Sequence, residues 1–159
     1  MSEVALREVL PDDLQVFYRQ QLDDEANRMA ASTPRAEEEF LIHWRGILAD
    51  RSVVKRTILI QDRIAGYVVS FERSGRREVG YWIGSRFWGR GIASEALRDF
   101  LAEERNRPLF AYAALHNKGS IRVLEKCGFV VIGRALKPEG LRGPQVEELN
   151  LRLDSATRT

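Results

Sequence analysis

Hydrophobic and polar positions repeat along this chain with two different periods, and the period predicts the type of each element. Short segments in which apolar and polar residues alternate predict half-buried β-strands, as at residues 4–9 and 148–153. Segments with apolar residues three or four positions apart predict amphipathic helices, as on the stripe of Phe40, Leu41, Trp44, Ile47 and Leu48. Over the whole chain the pattern predicts the order β-α-α-β-β-β-α-β-α-β-β.

Turn-forming and polar residues separate these elements. The first helix is expected to hold Pro11 at an early position and to bury Leu14, Phe17 and Tyr18. Residues 25–34 are expected to form a connecting loop, and Gln61-Asp62 a turn between two strands. A further loop near the end of the chain is predicted by Pro138, Gly140, Gly143 and Pro144.

The most distinctive segment, residues 78–97, reads as an apolar strand, a turn with glycines at 89 and 91, and an amphipathic helix. A helix N-terminus exposes unpaired N–H groups at the positive end of the helix dipole, so this junction predicts an anion site. A P-loop is excluded because the pattern Gly-x-x-x-x-Gly-Lys-Ser/Thr is absent. The dinucleotide-binding fingerprint is matched only in part, since Ser94 stands where its third glycine belongs.

A second informative segment begins with the apolar residues 109–115, which suit a buried strand. After it, Asn117 is a favourable N-cap and Gly128 a favourable C-cap for a helix. Cys127 is expected to be a small core residue, because it shares one face of that helix with Ile121 and Leu124.

Together the two segments resemble the GNAT N-acetyltransferase superfamily, which binds acetyl-coenzyme A. Arg86-x-x-Gly89-x-Gly91 is similar to its pyrophosphate-binding motif. The pattern Asn117-x-x-Ser120, followed by Leu-Glu-Lys-Cys-Gly-Phe, resembles the branch that includes the ribosomal-protein N-terminal acetyltransferases. The resemblance covers about residues 3–153 and implies one α/β (α+β) domain over residues 1–159. Its mixed central sheet would have about six to seven strands, flanked by about four helices, with a splayed strand pair holding the cofactor.

The resemblance also implies where acetyl-coenzyme A lies. Its pantetheine arm would pair with backbone groups near Trp82, Ile83 and Gly84, and its pyrophosphate would lie at the glycine turn. Glycines allow phosphates to approach the backbone, and arginines add positive charge. The predicted cofactor-binding residues of the turn and the two helix starts are Arg86, Gly89, Arg90, Gly91, Ile92, Ala93, Ser94, Asn117 and Ser120. Alternatively, the glycines only shape a tight turn and the arginines are solvated.

The implied reaction is direct attack of an amine on the thioester within a ternary complex. Glu78 is the candidate base, because an alkyl amine with a pKa of ~10 must lose a proton. Its alternative role is to pair with Arg76 or Arg77. Ser120 is the candidate for orienting or protonating the sulfur, and its alternative role is helix capping. Many relatives carry a tyrosine as general acid where this chain has Leu124.

The acceptor amine is left open by the sequence. The resemblance places residues 135–145 and part of the first two helices around it, and the candidate substrate-binding residues are Tyr18, Glu25, Asn27 and Met29. The acceptor would be a protein N-terminus or a small-molecule amine. The alternative function is a catalytically silent module that senses acyl-coenzyme A or regulates a partner.

Composition narrows the remaining choices. The chain has 159 residues, of which 44% are hydrophobic, which fits a single domain, and no apolar run reaches the ~20 residues of a membrane span. A net charge of +2 gives little reason to expect a nucleic-acid partner. No metal is expected, because His43 and His116 are isolated. The single cysteine and the absence of a secretory pattern favour the cytoplasm. The protein is expected to be a monomer or a homodimer.

Overall fold

A computed structural model describes residues 3–137 and 142–155 of the chain. The elements run in the order β1 Val4–Arg7, α1 Asp13–Gln20, α2 Asp24–Ala30, α3 Glu37–Ala49, β2 Val54–Ile60, β3 Arg63–Arg73, β4 Arg76–Ile83, α4 Ile92–Glu103, β5 Leu109–Ala114, α5 Lys118–Lys126, β6 Val130–Leu136 and β7 Glu147–Leu153. A short 3₁₀ helix, Ser85–Phe87, lies between β4 and the glycine turn.

The seven strands form one sheet in the order β1-β2-β3-β4-β5-β7-β6. Neighbouring strands are antiparallel except β4 and β5, which run parallel. Within these two strands the ladder aligns only Glu78 with Phe110, so the strands diverge toward their carboxyl ends. The structure thus confirms the predicted mixed sheet and its splayed strand pair.

Two hydrophobic clusters cover the two faces of the sheet. On one face Val79 and Ile83 of β4 pack with Leu97 of α4 and Leu124 of α5. On the other face Phe17 and Trp44, from α1 and α3, surround Tyr67 of β3, with ring centroids about 5 Å apart. Because side chains alternate along a strand, Tyr81 shares the α4–α5 face with its neighbours Val79 and Ile83.

Several local predictions are confirmed. Gln61 and Asp62 turn the chain between β2 and β3 with positive φ values of 48° and 64°. The predicted stripe of α3 is buried at Phe40 and Trp44. In the predicted loop near the chain end, Gly143 has a φ of 95°, while Pro138 and Gly140 lie outside the described residues.

The prediction of a loop at residues 25–34 is wrong, because residues 24–30 form helix α2. Its N-terminus is capped by the Asp23 carboxylate, which accepts a hydrogen bond from Ala26 N at 3.1 Å. At seven residues the helix is too short to show a 3.6-residue period, and it gives the described part of the chain five α-helices instead of about four. Helix α1 also begins later than predicted, at Asp13, with Pro11 in the preceding turn.

A glycine on β3 allows β4 to approach closely. A Cβ atom added at Gly66 would lie 1.8 Å from the carbonyl oxygen of Trp82. We therefore expect Gly66→Ala to lower the free energy of unfolding by about 2 kcal/mol, because the two strands must move apart. Gly46→Ala is the matched control, since nothing lies within 4 Å of its added Cβ in helix α3. It should raise stability by about 0.5–1 kcal/mol. Urea unfolding of both variants tests this, and equal stability would contradict the crowding.

Candidate active site

A cavity of about 500 Å³ lies at the carboxyl end of β4, the end at which β4 and β5 diverge. Its wall combines the end of β4, the glycine turn, the first turns of α4 and α5, and one side of α2. The predicted residues that line it are Met29, Trp82, Ile83, Gly89, Gly91, Ile92, Ala93, Ser94, Asn117 and Ser120. Gly84 and Arg86 instead line a second, more open groove of about 770 Å³, and Arg90 is exposed outside both.

The glycine turn leaves the N-terminus of α4 open toward the cavity. Gly89 and Gly91 have φ values of 77° and 74°, in the left-handed region that favours glycine. An added Cβ at either position would meet no atom within 4 Å, so the space before them is free. Gly91 is the N-cap of α4 and has no side chain to occupy the first N–H groups of the helix. These groups can bind an anion.

At alternate residues, the backbone N–H and C=O groups of β4 point into the gap between the diverging strands β4 and β5. The N–H of Gly84 donates to Ala65 O on β3 at 2.8 Å, so it is used within the sheet. Since backbone groups alternate in direction along a strand, those of Tyr81 and Ile83 point away from β3, toward the gap. The indole Nε1–H of Trp88 donates to Ile83 O at 2.9 Å. The gap-facing groups therefore belong to residues 81 and 83.

Glu78 lies at the point where the two strands begin to diverge. It is only 5% exposed, and both carboxylate oxygens accept hydrogen bonds from Arg73, at 2.7 and 2.8 Å. The alternative pairing with Arg76 or Arg77 is wrong. Arg76 stacks on Phe110, and Arg77 is turned toward Ser70 and Glu104. Burial raises the pKa of the Glu78 carboxyl above its usual value, against the opposing charge of Arg73.

One further carboxylate near Glu78 escaped prediction from the sequence. Glu148, on β7 beside Ala114, interacts electrostatically with both Glu78 and Arg73. Burial raises the pKa of its carboxyl, and the charge of Glu78 adds to this effect. Lys137, in the predicted acceptor segment 135–145, is buried and interacts electrostatically with Glu148. Its Nζ donates to the Ala31 carbonyl at 2.5 Å. The alternation of β7 was the available signal, because it places Glu148 on the face opposite the buried Leu151.

The cavity wall also holds a pair of hydroxyl groups. Tyr81 Oη lies 2.8 Å from Ser120 Oγ. Asn117 caps α5 by accepting a hydrogen bond from Ser120 N at 3.2 Å, as the capping interpretation predicts. Leu124, which replaces the tyrosine of many relatives, is 2% exposed and belongs to the core. Tyr81 was missed because its partner lies 39 residues away in the sequence.

Of the four predicted acceptor-binding residues, the structure brings Met29 to the cavity. Tyr18 packs on Phe40, with ring centroids 5.7 Å apart. Glu25 forms an exposed ion pair with Arg28 at 2.5 Å. Asn27 is buried, and its amide donates to the Gln21 carbonyl at 2.7 Å, so it holds the start of α2 in place.

The described residues contain no group of three or more His, Cys, Asp or Glu side chains arranged to hold a metal ion. Within residues 3–137 and 142–155, no helix has the length and apolar character needed to cross a bilayer.

Comparison with known proteins decides the family. Residues 3–130 match the model of the acetyltransferase (GNAT) domain. The chain belongs to the GNAT acetyltransferase family. This membership confirms the predicted superfamily. The glycine turn and the splayed strands are therefore features of a GNAT domain.

Individual relatives agree with this assignment. Over 117 residues the chain is 31% identical to YdaF of Bacillus subtilis (strain 168), which carries the provisional name of a ribosomal N-acetyltransferase. The match covers 69% of this chain and 62% of YdaF.

Solved structures share the fold. RimL, a ribosomal L7/L12 alpha-N-protein acetyltransferase in complex with coenzyme A, superposes with a TM-score of 0.81 at 18% identity, covering 97% of this chain and 95% of its own. Spermidine N-acetyltransferase from Vibrio cholerae, in complex with coenzyme A and spermine, gives 0.81 at 16% identity, covering 96% and 95%.

Proposed function

We propose that this GNAT protein is an N-acetyltransferase that transfers the acetyl group of acetyl-coenzyme A to a primary amine by direct attack in a ternary complex. The observation that carries the proposal is the cavity at the carboxyl end of β4, the end at which β4 and β5 diverge. The N-terminus of α4, which can bind an anion, lies at one end of it. The buried Glu78 lies on β4 where the strands part, three residues before Tyr81 of the cavity wall. The acceptor class, a protein N-terminus or a small-molecule amine, follows the names of RimL, YdaF and the spermidine enzyme.

The residues of the cavity fit acetyl-coenzyme A. Gly89, Gly91 and the first N–H groups of α4 suit the pyrophosphate, because small residues let phosphate oxygens reach backbone donors. The gap-facing backbone groups of Tyr81 and Ile83 suit the amides of the pantetheine arm. Asn117 and Ser120 line the same cavity beside them.

Glu78 is the proposed base, acting directly or through a water molecule. Its burial raises the carboxyl pKa toward neutrality, which makes the carboxylate a better proton acceptor than an exposed one. Arg73 holds both oxygens in place while leaving their remaining lone pairs free to accept a proton. Glu148 and its partner Lys137 extend this charged region toward the β6–β7 hairpin.

A second candidate is a catalytically silent module that senses acyl-coenzyme A or regulates a partner. Two observations favour it: Leu124 lies in the core where many relatives have an acidic tyrosine, and Arg73 already pairs with both oxygens of Glu78. In either case we expect one domain over residues 1–159, located in the cytoplasm as a monomer or homodimer.

Release of free coenzyme A distinguishes the two candidates. Purified protein is incubated with acetyl-coenzyme A and pools of amines, including polyamines, amino acids and peptides with free N-termini, and thiol release is measured with a chromogenic disulfide. We expect release that depends on one pool, with heat-denatured protein as the control. Tight binding of acetyl-coenzyme A without amine-dependent release would favour the sensor. Calorimetry that shows no binding would contradict both candidates.

A further inference from the structure

The hydroxyl pair at the cavity wall joins two elements that flank the gap. Tyr81 extends from β4, and its partly buried ring packs against the main core. Ser120 lies in the first turn of α5, where the cap by Asn117 fixes its backbone. Their oxygens lie 2.8 Å apart, which is an ordinary distance for a hydrogen bond between hydroxyl groups.

One of the two hydroxyl groups must donate to the other, and the chemistry favours Tyr81 as the donor. A phenol, with a pKa of about 10, is a stronger acid and a better donor than the aliphatic alcohol of serine. The alcohol oxygen is in turn the better acceptor. With Tyr81 donating, the proton of Ser120 is free to point into the cavity, which both residues line.

We propose that Tyr81 is a positioning residue that donates to Ser120 Oγ, so that Ser120 directs its own O–H at the sulfur of coenzyme A. The inference rests on the proposed function. Ser120 then stabilises the departing thiolate by a hydrogen bond and keeps its proton, so it is not a general acid.

The balance of protons supports a hydrogen bond rather than a transfer. When the C–S bond breaks, its electron pair stays on sulfur, and the proton of the amine goes to Glu78. A thiolate has a conjugate-acid pKa of ~8.5, by analogy to cysteine. Burial raises the pKa of Tyr81 to about 12. Moving a proton along the pair to sulfur is therefore disfavoured by a factor of at least about 10³. The thiolate is later protonated by solvent, which explains why Leu124 can replace an acidic tyrosine.

The thiol pKa of bound coenzyme A tests the pair without any catalytic turnover. Coenzyme A is titrated by the ultraviolet absorbance of its thiolate in complex with each protein, and the spectrum of the protein alone is subtracted. We expect a pKa lowered by about one unit from ~8.5 in the wild type, and a value near ~8.5 in Tyr81→Phe. Tyr67→Phe is the matched control, because burial also raises the pKa of Tyr67 to about 12, but this tyrosine lies in the cluster on the other face. It should titrate like the wild type.

Kinetics supply the second measurement. Tyr81→Phe should lower kcat about tenfold and leave the KM for acetyl-coenzyme A unchanged. In a Ser120→Ala background the same change should have no further effect, since both act through one hydrogen bond. A thiol pKa near ~8.5 in the wild-type complex, independent effects of the two variants, or a change in KM alone would each overturn the inference. Coenzyme A that does not bind would overturn it together with the proposed function. A lowered thiol pKa in a protein that acetylates no amine would overturn the proposed function alone.

Discussion

Gly89→Glu is expected to lower the affinity for acetyl-coenzyme A by a factor of at least about 10². The φ of 77° is strained for any L side chain, and the space before the glycine is open, so the new carboxylate would extend toward the N-terminus of α4. There it would place a negative charge against the proposed pyrophosphate site. Isothermal titration calorimetry with acetyl-coenzyme A measures the loss.

Gly75→Glu is the matched control for this variant. Gly75 has nearly the same φ, 78°, and also has no atom within 4 Å of an added Cβ, but it lies in the exposed turn between β3 and β4. It introduces the same charge and the same backbone strain away from the cavity, so acetyl-coenzyme A should bind as in the wild type. Equal affinity of the Gly89 variant and the wild type would remove the turn from the binding site.

Glu78→Gln should lower kcat by a factor of about 10² to 10³, because the amide keeps the shape of the side chain and cannot accept a proton. The pH dependence has a definite sign. Glu78 acts only when ionised, and burial raises its pKa, so wild-type activity should increase as the pH rises through that raised pKa. In the variant this acidic limb should disappear. Steady-state kinetics from acidic to mildly alkaline pH test both expectations.

Glu104→Gln separates this effect from the loss of a buried ion pair. Glu104 is also buried and paired with an arginine, Arg77 at 3.3 Å, but it lies just after α4, whereas Glu78 lies on β4 where the two strands part. Thermal unfolding followed by circular dichroism should show that this variant is less stable than the wild type. Steady-state kinetics on the folded protein should give an unchanged kcat. If both variants keep wild-type kcat, Glu78 is not the base, and Glu148 becomes the next carboxylate to replace.

The fold was largely predictable, because its signals are local. The alternation of β7, the stripe of α3 and the cap at Asn117 each depend on neighbours within a few residues. Helix α2 was missed for the complementary reason. Seven residues complete too little of a helical repeat, and the helix is held partly by contacts distant in sequence, such as that of its cap Asp23 with Ser85.

The residues of the candidate site divide in the same way. The glycines of the turn could be named in advance, because a left-handed backbone and a helix start are properties of a short segment. The partner of Glu78 could not. Three arginines lie within five positions of it, and the twist and pairing of the β3–β4 hairpin select Arg73.

By itself, therefore, the sequence determined the glycine turn at the start of α4, because that turn follows from residue type and spacing over a short stretch. Two short motifs also resembled the GNAT family, and the mixed sheet was what that resemblance implied. The tertiary structure alone decided which polar groups meet. Tyr81 contacts Ser120, which lies 39 positions away in the sequence. Glu148 on β7 interacts electrostatically with Glu78 on β4, although strand β5 lies between these two strands. Such contacts depend on the divergence of β4 and β5 and on the strand order of the sheet, and neither is encoded in the spacing of the residues involved.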